Sequence, residues 1–357
     1  MALSIGIVGM PNVGKSTLFN ALTDANALIA NYPFATIEPN TGVVPIPDPR
    51  LEKLPHIYKT DRIVPAAVQF VDIAGLVTGA SHGEGLGNQF LAHIRACNAV
   101  CHVVRVFENG GVARAGSTDP KKDIEVVNTE LVLADLQTVN NRLPRLEKEV
   151  KADPKLRPVL ETLKKAKKLL EDNKPIHLAK DIELEHITDL FLLSAKPVIY
   201  VFNLDEKSLQ VQYLKDELTG VVKPAEALFI CAKLESELRG LDENDRLEML
   251  ASYGQKESGL IQLIHAAYET LGLQSFFTGG EKEVRAWTIA KGTTARQAAG
   301  VVHSDMEHGF IAAQVVDYDD LMKAGSLPAA RAAGKVRTEG RSYMMRPGDV
   351  VEFRFNV

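Results

Sequence analysis

Residues 3–22 read Leu3-Ser-Ile-Gly-Ile-Val-Gly9-Met-Pro-Asn-Val-Gly14-Lys15-Ser16-Thr17-Leu-Phe-Asn-Ala-Leu22. An apolar run passes through two glycines into Lys-Ser-Thr and then into helical periodicity. Gly, four residues, Gly, Lys and Ser between a strand and a helix is the pattern of a phosphate-binding loop. Gly9 and Gly14 let the backbone curl so that successive N–H groups face one phosphate chain, and the helix that follows offers its positive end. In such a loop Lys15 reaches the β- and γ-phosphate oxygens and the Ser16 hydroxyl ligates Mg²⁺.

Further pieces of a nucleotide switch lie downstream. Asp72-Ile-Ala-Gly75 closes the apolar strand Val68–Asp72. There Asp72 is expected to help hold Mg²⁺ and the Gly75 N–H to sense the γ-phosphate. Asn31-Tyr-Pro-Phe-Ala-Thr36 offers Thr36 as a metal ligand, and Gly79, Gly83, Gly85 and Gly87 suit a second switch segment.

The chain alternates strands and helices around these motifs. Val68–Asp72, Ala99–Val106, Pro197–Asn203 and Ala227–Cys231 read as short buried strands of a largely parallel sheet, so the fold class is α/β. Ligands in such sheets sit beyond the carboxyl ends of the strands, where these motifs fall. Between the second and third strands, apolar residues from Leu131 to Val150 and from Val159 to Leu170 recur at helical spacing. Asp153-Pro154 and Arg157-Pro158 interrupt them, which predicts an inserted antiparallel helical hairpin.

After about residue 278, Val284–Ile289, Gly309–Val316 and Val350–Phe355 alternate with the helical stretches Thr294–Gly300 and Tyr318–Ala324. The expected division is a split nucleotide-binding domain (1–128 and 196–278), a hairpin domain (129–195) and a compact α+β module (279–357).

The 357 residues carry a net charge of −5, and 45% of them are hydrophobic. No run approaches ~18 apolar residues, so a membrane partner is not expected. Nor is DNA, since the overall charge is acidic. The strand starting at Leu3 leaves no room for a leader, and Cys97, Cys101 and Cys231 show no zinc spacing, so a cytoplasmic location is expected. Cys97 and Cys101 read as small interior residues or, alternatively, as a redox pair. The charge is uneven: residues 142–174 hold eleven Lys/Arg against six Asp/Glu, a local +5, either a solvated helical surface or a contact for RNA phosphate.

These motifs, with Asn203-Leu-Asp-Glu206, Cys231-Ala-Lys-Leu-Glu235 and the ending Arg346–Val357, resemble the YchF family of Obg-related P-loop nucleotidases over essentially the whole chain. The resemblance implies that the C-terminal module is a β-grasp-like TGS domain. It also implies ATP hydrolysis, often in preference to GTP, and association with the ribosome and its rRNA. Residue by residue, it assigns Gly9, Asn12, Val13, Gly14, Lys15, Ser16 and Thr17 to the phosphates and Ser16, Thr36 and Asp72 to Mg²⁺. Asn203, Leu204, Glu206, Cys231 and Ala232 fall to the base, and Lys15, Thr36, Asp72 and Gly75 to catalysis.

Two departures from ordinary GTPases stand out. Leu76 occupies the place of a water-orienting Gln and cannot align water by hydrogen bonding. Family members usually carry a His in the loop after the strand Val103–Phe107, where this chain has Arg114, which can stabilise transition-state charge but cannot act as a base. Slow intrinsic turnover is the expectation. His82 and His102 are other candidates, His102 reading better as an interior residue. Asn12 together with Leu76 also raises K⁺ as a second cation.

Base preference follows from the Asn203–Glu206 segment. Guanine-specific sites use Asn-Lys-x-Asp, whose carboxylate accepts from N1–H and the 2-amino group. Here Leu204 replaces Lys and Glu206 replaces Asp, which removes the main reason to exclude ATP. The alternatives are a GTP-selective GTPase in which Asp205 reads the guanine edge, a metabolic phosphotransferase, and an RNA- or ribosome-binding protein indifferent to nucleotide.

Overall fold

β1 (Ser4–Val8) is buried at every position, as befits a strand covered on both faces of a parallel sheet. A computed structural model describes residues 3–24, 40–73, 86–107, 119–179, 181–238 and 240–356. In chain order β1 leads to α1 (Lys15–Asp24), β2 (Thr41–Pro45), α2 (Pro49–Tyr58), β3 (Ile63–Val64), β4 (Ala67–Asp72), α3 (Leu86–Ala96) and β5 (Ala99–Arg105). Two long helices follow, α4 (Pro120–Ala152) and α5 (Arg157–Glu171), then β6 (Val198–Asn203), α6 (Gln212–Val222), β7 (Glu226–Ile230), α7 (Ala232–Glu237), α8 (Glu243–Ser252) and α9 (Gly259–Thr270).

The first sheet has the order β2-β4-β1-β5-β6-β7, with β4, β1, β5, β6 and β7 paired in parallel. This is the α/β architecture expected from the apolar runs, and their carboxyl ends, at Val8, Asp72, Arg105 and Asn203, lie at one edge. His102 sits on β5 opposite Tyr200 of β6, ring centroids 5.2 Å apart. Full burial pushes its pKa down to about 3, so it is a neutral interior residue. Cys97, Cys101 and Cys231 are all buried free thiols, which favours their reading as small interior residues over a disulfide pair.

The helical hairpin forms where the prolines predict it. Asp153 caps a single 3₁₀ turn (Pro154–Leu156) between α4 and α5, its carboxylate accepting from the Lys155 N–H. Leu146, Leu160, Leu163, Ala166 and Leu170 meet in its core. The hairpin returns to the sheet through a buried carboxylate: Asp135 of α4 accepts from the Leu193 and Ser194 N–H groups at 2.8 and 2.7 Å and from the Ser194 hydroxyl at 2.6 Å. These bonds fix the segment that enters β6.

The chain divides into two compact units, residues 1–44 with 69–267, and residues 45–68 with 268–357. The second unit contains β8 (Leu273–Gly279), β9 (Val284–Ala290), α10 (Ala295–Val302), α11 (Ser304–His308), β10 (Phe310–Asp317), α12 (Tyr318–Ala324), α13 (Leu327–Ala332), β11 (Arg337–Glu339) and β12 (Asp349–Phe355). Its sheet runs β11-β10-β12-β8-β9-β3 and mixes antiparallel with parallel neighbours. Two features were not expected from the sequence: the sheet opens at Leu273, and it recruits residues 45–68, which precede it by more than two hundred positions. Ile63 and Val64 pair in parallel with Val284 and Arg285, and Gly279 leaves room for the Tyr58 ring where any Cβ would collide.

Asp135→Ala leaves two buried N–H groups and a hydroxyl without their acceptor. The unfolding free energy is expected to fall by about 3 kcal/mol or more, read as a lower urea midpoint at an unchanged denaturant slope.

Candidate nucleotide-binding site

The loop between β1 and α1 takes a conformation that its composition makes possible. Gly9 and Gly14 have φ of 151° and 99°, and Asn12 is left-handed at 60°. A Cβ at Gly9 would run into the Val103 carbonyl, and one at Gly14 into the Asn203 carboxamide. Helix α1 starts at Lys15 directly after the loop, and the Leu18 N–H reaches back to the Gly14 carbonyl at 2.9 Å.

Lys15 folds over this loop. Its ammonium donates to the carbonyls of Gly9 at 3.2 Å and Met10 at 2.9 Å, and only 8% of the residue is exposed. Burial pushes its pKa down, partly offset by the nearby charge of Asp72. A cation held this way is desolvated in advance of an anionic ligand, which strengthens any attraction it exerts.

Asp72 ends β4 in register with Ile7 of β1, and the Ser16 hydroxyl donates to its Oδ2 at 3.1 Å. Its Oδ1 is buried and has no hydrogen-bond partner among the described residues. A hydroxyl and a carboxylate brought together with one oxygen left unmatched fit a hard, oxygen-preferring cation such as Mg²⁺, which keeps most of its waters and takes few protein ligands.

The base end is organised by Asn203, at the tip of β6. Its amide donates to the Val13 carbonyl at 3.0 Å and its carbonyl accepts from the Ala232 N–H at 3.1 Å. One side chain thus ties the phosphate loop to the start of α7. Leu204 is buried, its N–H donated to the Ile230 carbonyl at 2.8 Å, and Cys231 caps α7 by accepting from the Leu234 N–H. The Asp205 carboxylate is engaged in a turn, accepting from the Ser208 N–H at 2.8 Å. Glu206 pairs with Lys233 at 2.8 Å.

These residues line a cleft of about 710 Å³ running from Asn12, Gly14, Lys15, Ser16 and Thr17 to Asn203–Glu206 and Cys231–Lys233, with Phe107 and Ser236 completing the wall. Its volume is of the order that small-ligand sites have, enough for a nucleotide. Lys233 falls within the Cys231–Glu235 motif without having been singled out, and Phe107 and Ser236 carry no motif that marks them in the sequence. Arg105 was equally unmarked: it lies buried at the end of β5, its guanidinium 4.3 Å above the Phe107 ring and donating to the Phe107 and Asn12 carbonyls. An arginine closing an apolar strand beside the loop was the available signal. Thr36, Gly75, Leu76, His82 and Arg114 lie outside the described residues.

Residues 4–142 match a family described as 50S ribosome-binding GTPase, and residues 273–356 match the YchF-GTPase_C family, described as a protein of unknown function. The chain is 47% identical to the ribosome-binding ATPase YchF of Bacillus subtilis and 46% identical to that of Escherichia coli O157:H7, over all of both chains in each case. Identity to Obg-like ATPase 1 of Rattus norvegicus is 42%, covering 99% of this chain and 93% of that one. The solved structure of the Schizosaccharomyces pombe YchF GTPase superposes with a TM-score of 0.87 at 38% identity, covering 99% of this chain and 97% of that one.

Gly14→Ala places a methyl group against the Asn203 amide at a left-handed φ. Nucleotide binding is expected to weaken by tenfold or more, on the order of 1.4 kcal/mol, in a protein whose circular dichroism is unchanged. A fluorescent-nucleotide titration checks it.

Proposed function

The chain belongs to the YchF family of Obg-related P-loop nucleotidases, and from that premise we propose that it is a ribosome-associated switch that binds and slowly hydrolyses ATP with Mg²⁺. The observation that carries the reading is the cluster of Lys15, Ser16 and Asp72: a buried cation over the phosphate loop, and a hydroxyl and carboxylate joined with one buried oxygen unpartnered. A protein indifferent to nucleotide has no physical need to keep a lysine desolvated there.

In this reading the N–H groups of the loop and the Lys15 ammonium hold the β- and γ-phosphates, and Ser16 and Asp72, with Thr36 in the triphosphate form, would hold Mg²⁺. Bound there, the ion would neutralise charge on the β- and γ-phosphate oxygens. Leu76 supplies no hydrogen bond to an attacking water, so turnover is slow in isolation, with Arg114 proposed to stabilise transition-state charge. Gly75 is proposed to report the γ-phosphate, and Asn12 to help hold K⁺; equal turnover in sodium and potassium buffers would remove the latter role.

Acceptance of ATP is supported by the way the polar groups at the base end are already matched. The Asp205 carboxylate serves a turn, Glu206 is paired with Lys233, and the Ala232 N–H is donated to Asn203. An unengaged N–H there would favour the guanine carbonyl and oppose the adenine amino group. Competition titration with Mg²⁺ is expected to give ATP binding at least as tight as GTP binding; GTP tighter by more than about tenfold would make the protein a GTPase.

Lys15→Ala should keep its fold, because the ammonium bonds to carbonyls of its own loop, and should lower ATP hydrolysis by about 10²-fold or more. Wild-type turnover in this variant would remove the site assignment.

Contact with rRNA is proposed for the hairpin. Arg142 is bridged to Glu149, Lys164 to Glu147, Lys167 to Glu171 and Lys174 to Asp172, while Arg145, Lys148, Lys151, Lys155, Arg157, Lys165 and Lys168 extend the basic surface. Replacing those seven by Gln is expected to weaken ribosome binding and flatten its salt dependence, by about 0.7–0.9 in logarithmic slope for each phosphate that is no longer neutralised. An unchanged slope returns them to a solvated surface.

A further inference from the structure

The rim of the base end holds a charge arrangement that the motif alone does not specify. Lys233, in the first turn of α7, directs its ammonium to Glu206 Oε1 at 2.8 Å and also approaches Glu237 Oε1, one turn on, at 3.6 Å. Its side chain is 71% exposed and that of Glu206 31%, so the carboxylate stands deeper than the ammonium that holds it. A cation gains nothing from the positive end of a helix, so the two carboxylates are what orient Lys233.

We infer that Lys233 is a positioning residue for base choice: it holds the Glu206 carboxylate at the rim and so withholds from guanine the acceptor that its N1–H and 2-amino group would need. This rests on the ATP-accepting reading above and supplies its physical cause. Glu206 carries the same charge as the Asp of a guanine-reading motif and one more methylene, enough for it to swing toward a base if it were released. Its bond to Lys233 is therefore a second barrier to guanine, beyond the change of side chain from Asp to Glu. Adenine presents a ring acceptor at N1 and no 2-amino group, so it gains less than guanine from a carboxylate released to that edge. Disrupting the pair thus moves GTP affinity more than ATP affinity. A purely structural role for Lys233 would move both together.

The test measures ATP and GTP dissociation constants with Mg²⁺ for the full-length wild type, Lys233→Met, Glu206→Gln and the double variant, with thermal melting to show that each is folded. Exposed ion pairs are weak, so Lys233→Met is expected to tighten GTP relative to ATP by about two- to fivefold. Glu206→Gln in the same chain should erase that change, and high salt should narrow it by screening the wild-type pair. An ATP-accepting wild type whose preference is unmoved by Lys233→Met overturns the inference alone, as does a shift that persists in the double variant. A wild type already more than about tenfold selective for GTP overturns the base reading itself, and this inference with it.

Discussion

The carboxamide of Asn203 is the contact on which the site depends. Its donor end closes on the Val13 carbonyl and its acceptor end on the Ala232 N–H. Both bonds are buried, so losing the side chain would strand a carbonyl and an N–H away from water, each at a cost of about 1–3 kcal/mol. The phosphate loop and the start of α7 come from positions more than two hundred residues apart. Joined through one planar amide at the end of β6, they have a fixed separation, and the cleft between them has a fixed length. Gly14 follows from the same constraint, because the amide occupies the space a Cβ would take.

Around that clamp the charges are prepared rather than satisfied. Lys15 spends its hydrogen bonds on carbonyls of its own loop, and burial weakens its hold on its proton. Asp72 gives one oxygen to Ser16 and leaves the other unmatched in the interior. An anion bearing a hard cation would meet both groups at once. At the opposite end the polar groups are paired internally.

The second unit shows how a sheet of modest size completes itself. β9 would be an open edge without Ile63 and Val64, and an unpaired edge invites pairing with other chains. Residues 45–68 supply that strand and also α2, whose Arg50 lies 5.2 Å over the Phe277 ring and whose Tyr58 packs on Gly279. Burial raises the Tyr58 pKa to about 12, so the ring stays neutral and serves as packing.

Much of this was determined by the sequence itself. Gly9 and Gly14 dictate the loop, since other residues rarely adopt those φ values; the continuous apolar runs dictate buried parallel strands; Asp153-Pro154 dictates where the hairpin turns; and Thr294 with Gln297 closes a capping box that starts α10. For the loop, the strands and the turn the rule is local, and neighbouring residues carry enough information to apply it; the capping box shows itself only in the folded helix. The tertiary structure decided the rest. Recruitment of residues 45–68 to the C-terminal sheet depends on pairing across more than two hundred positions, and a two-residue strand carries no periodicity to announce it. Arg105 reads as one polar residue after an apolar strand until Phe107 and Asn12 are brought against it. Lys233 acquires its partner only when Glu206, in the turn after β6, is brought against α7. Long-range partners set what these side chains do, because a charge or a ring acquires its role from what faces it.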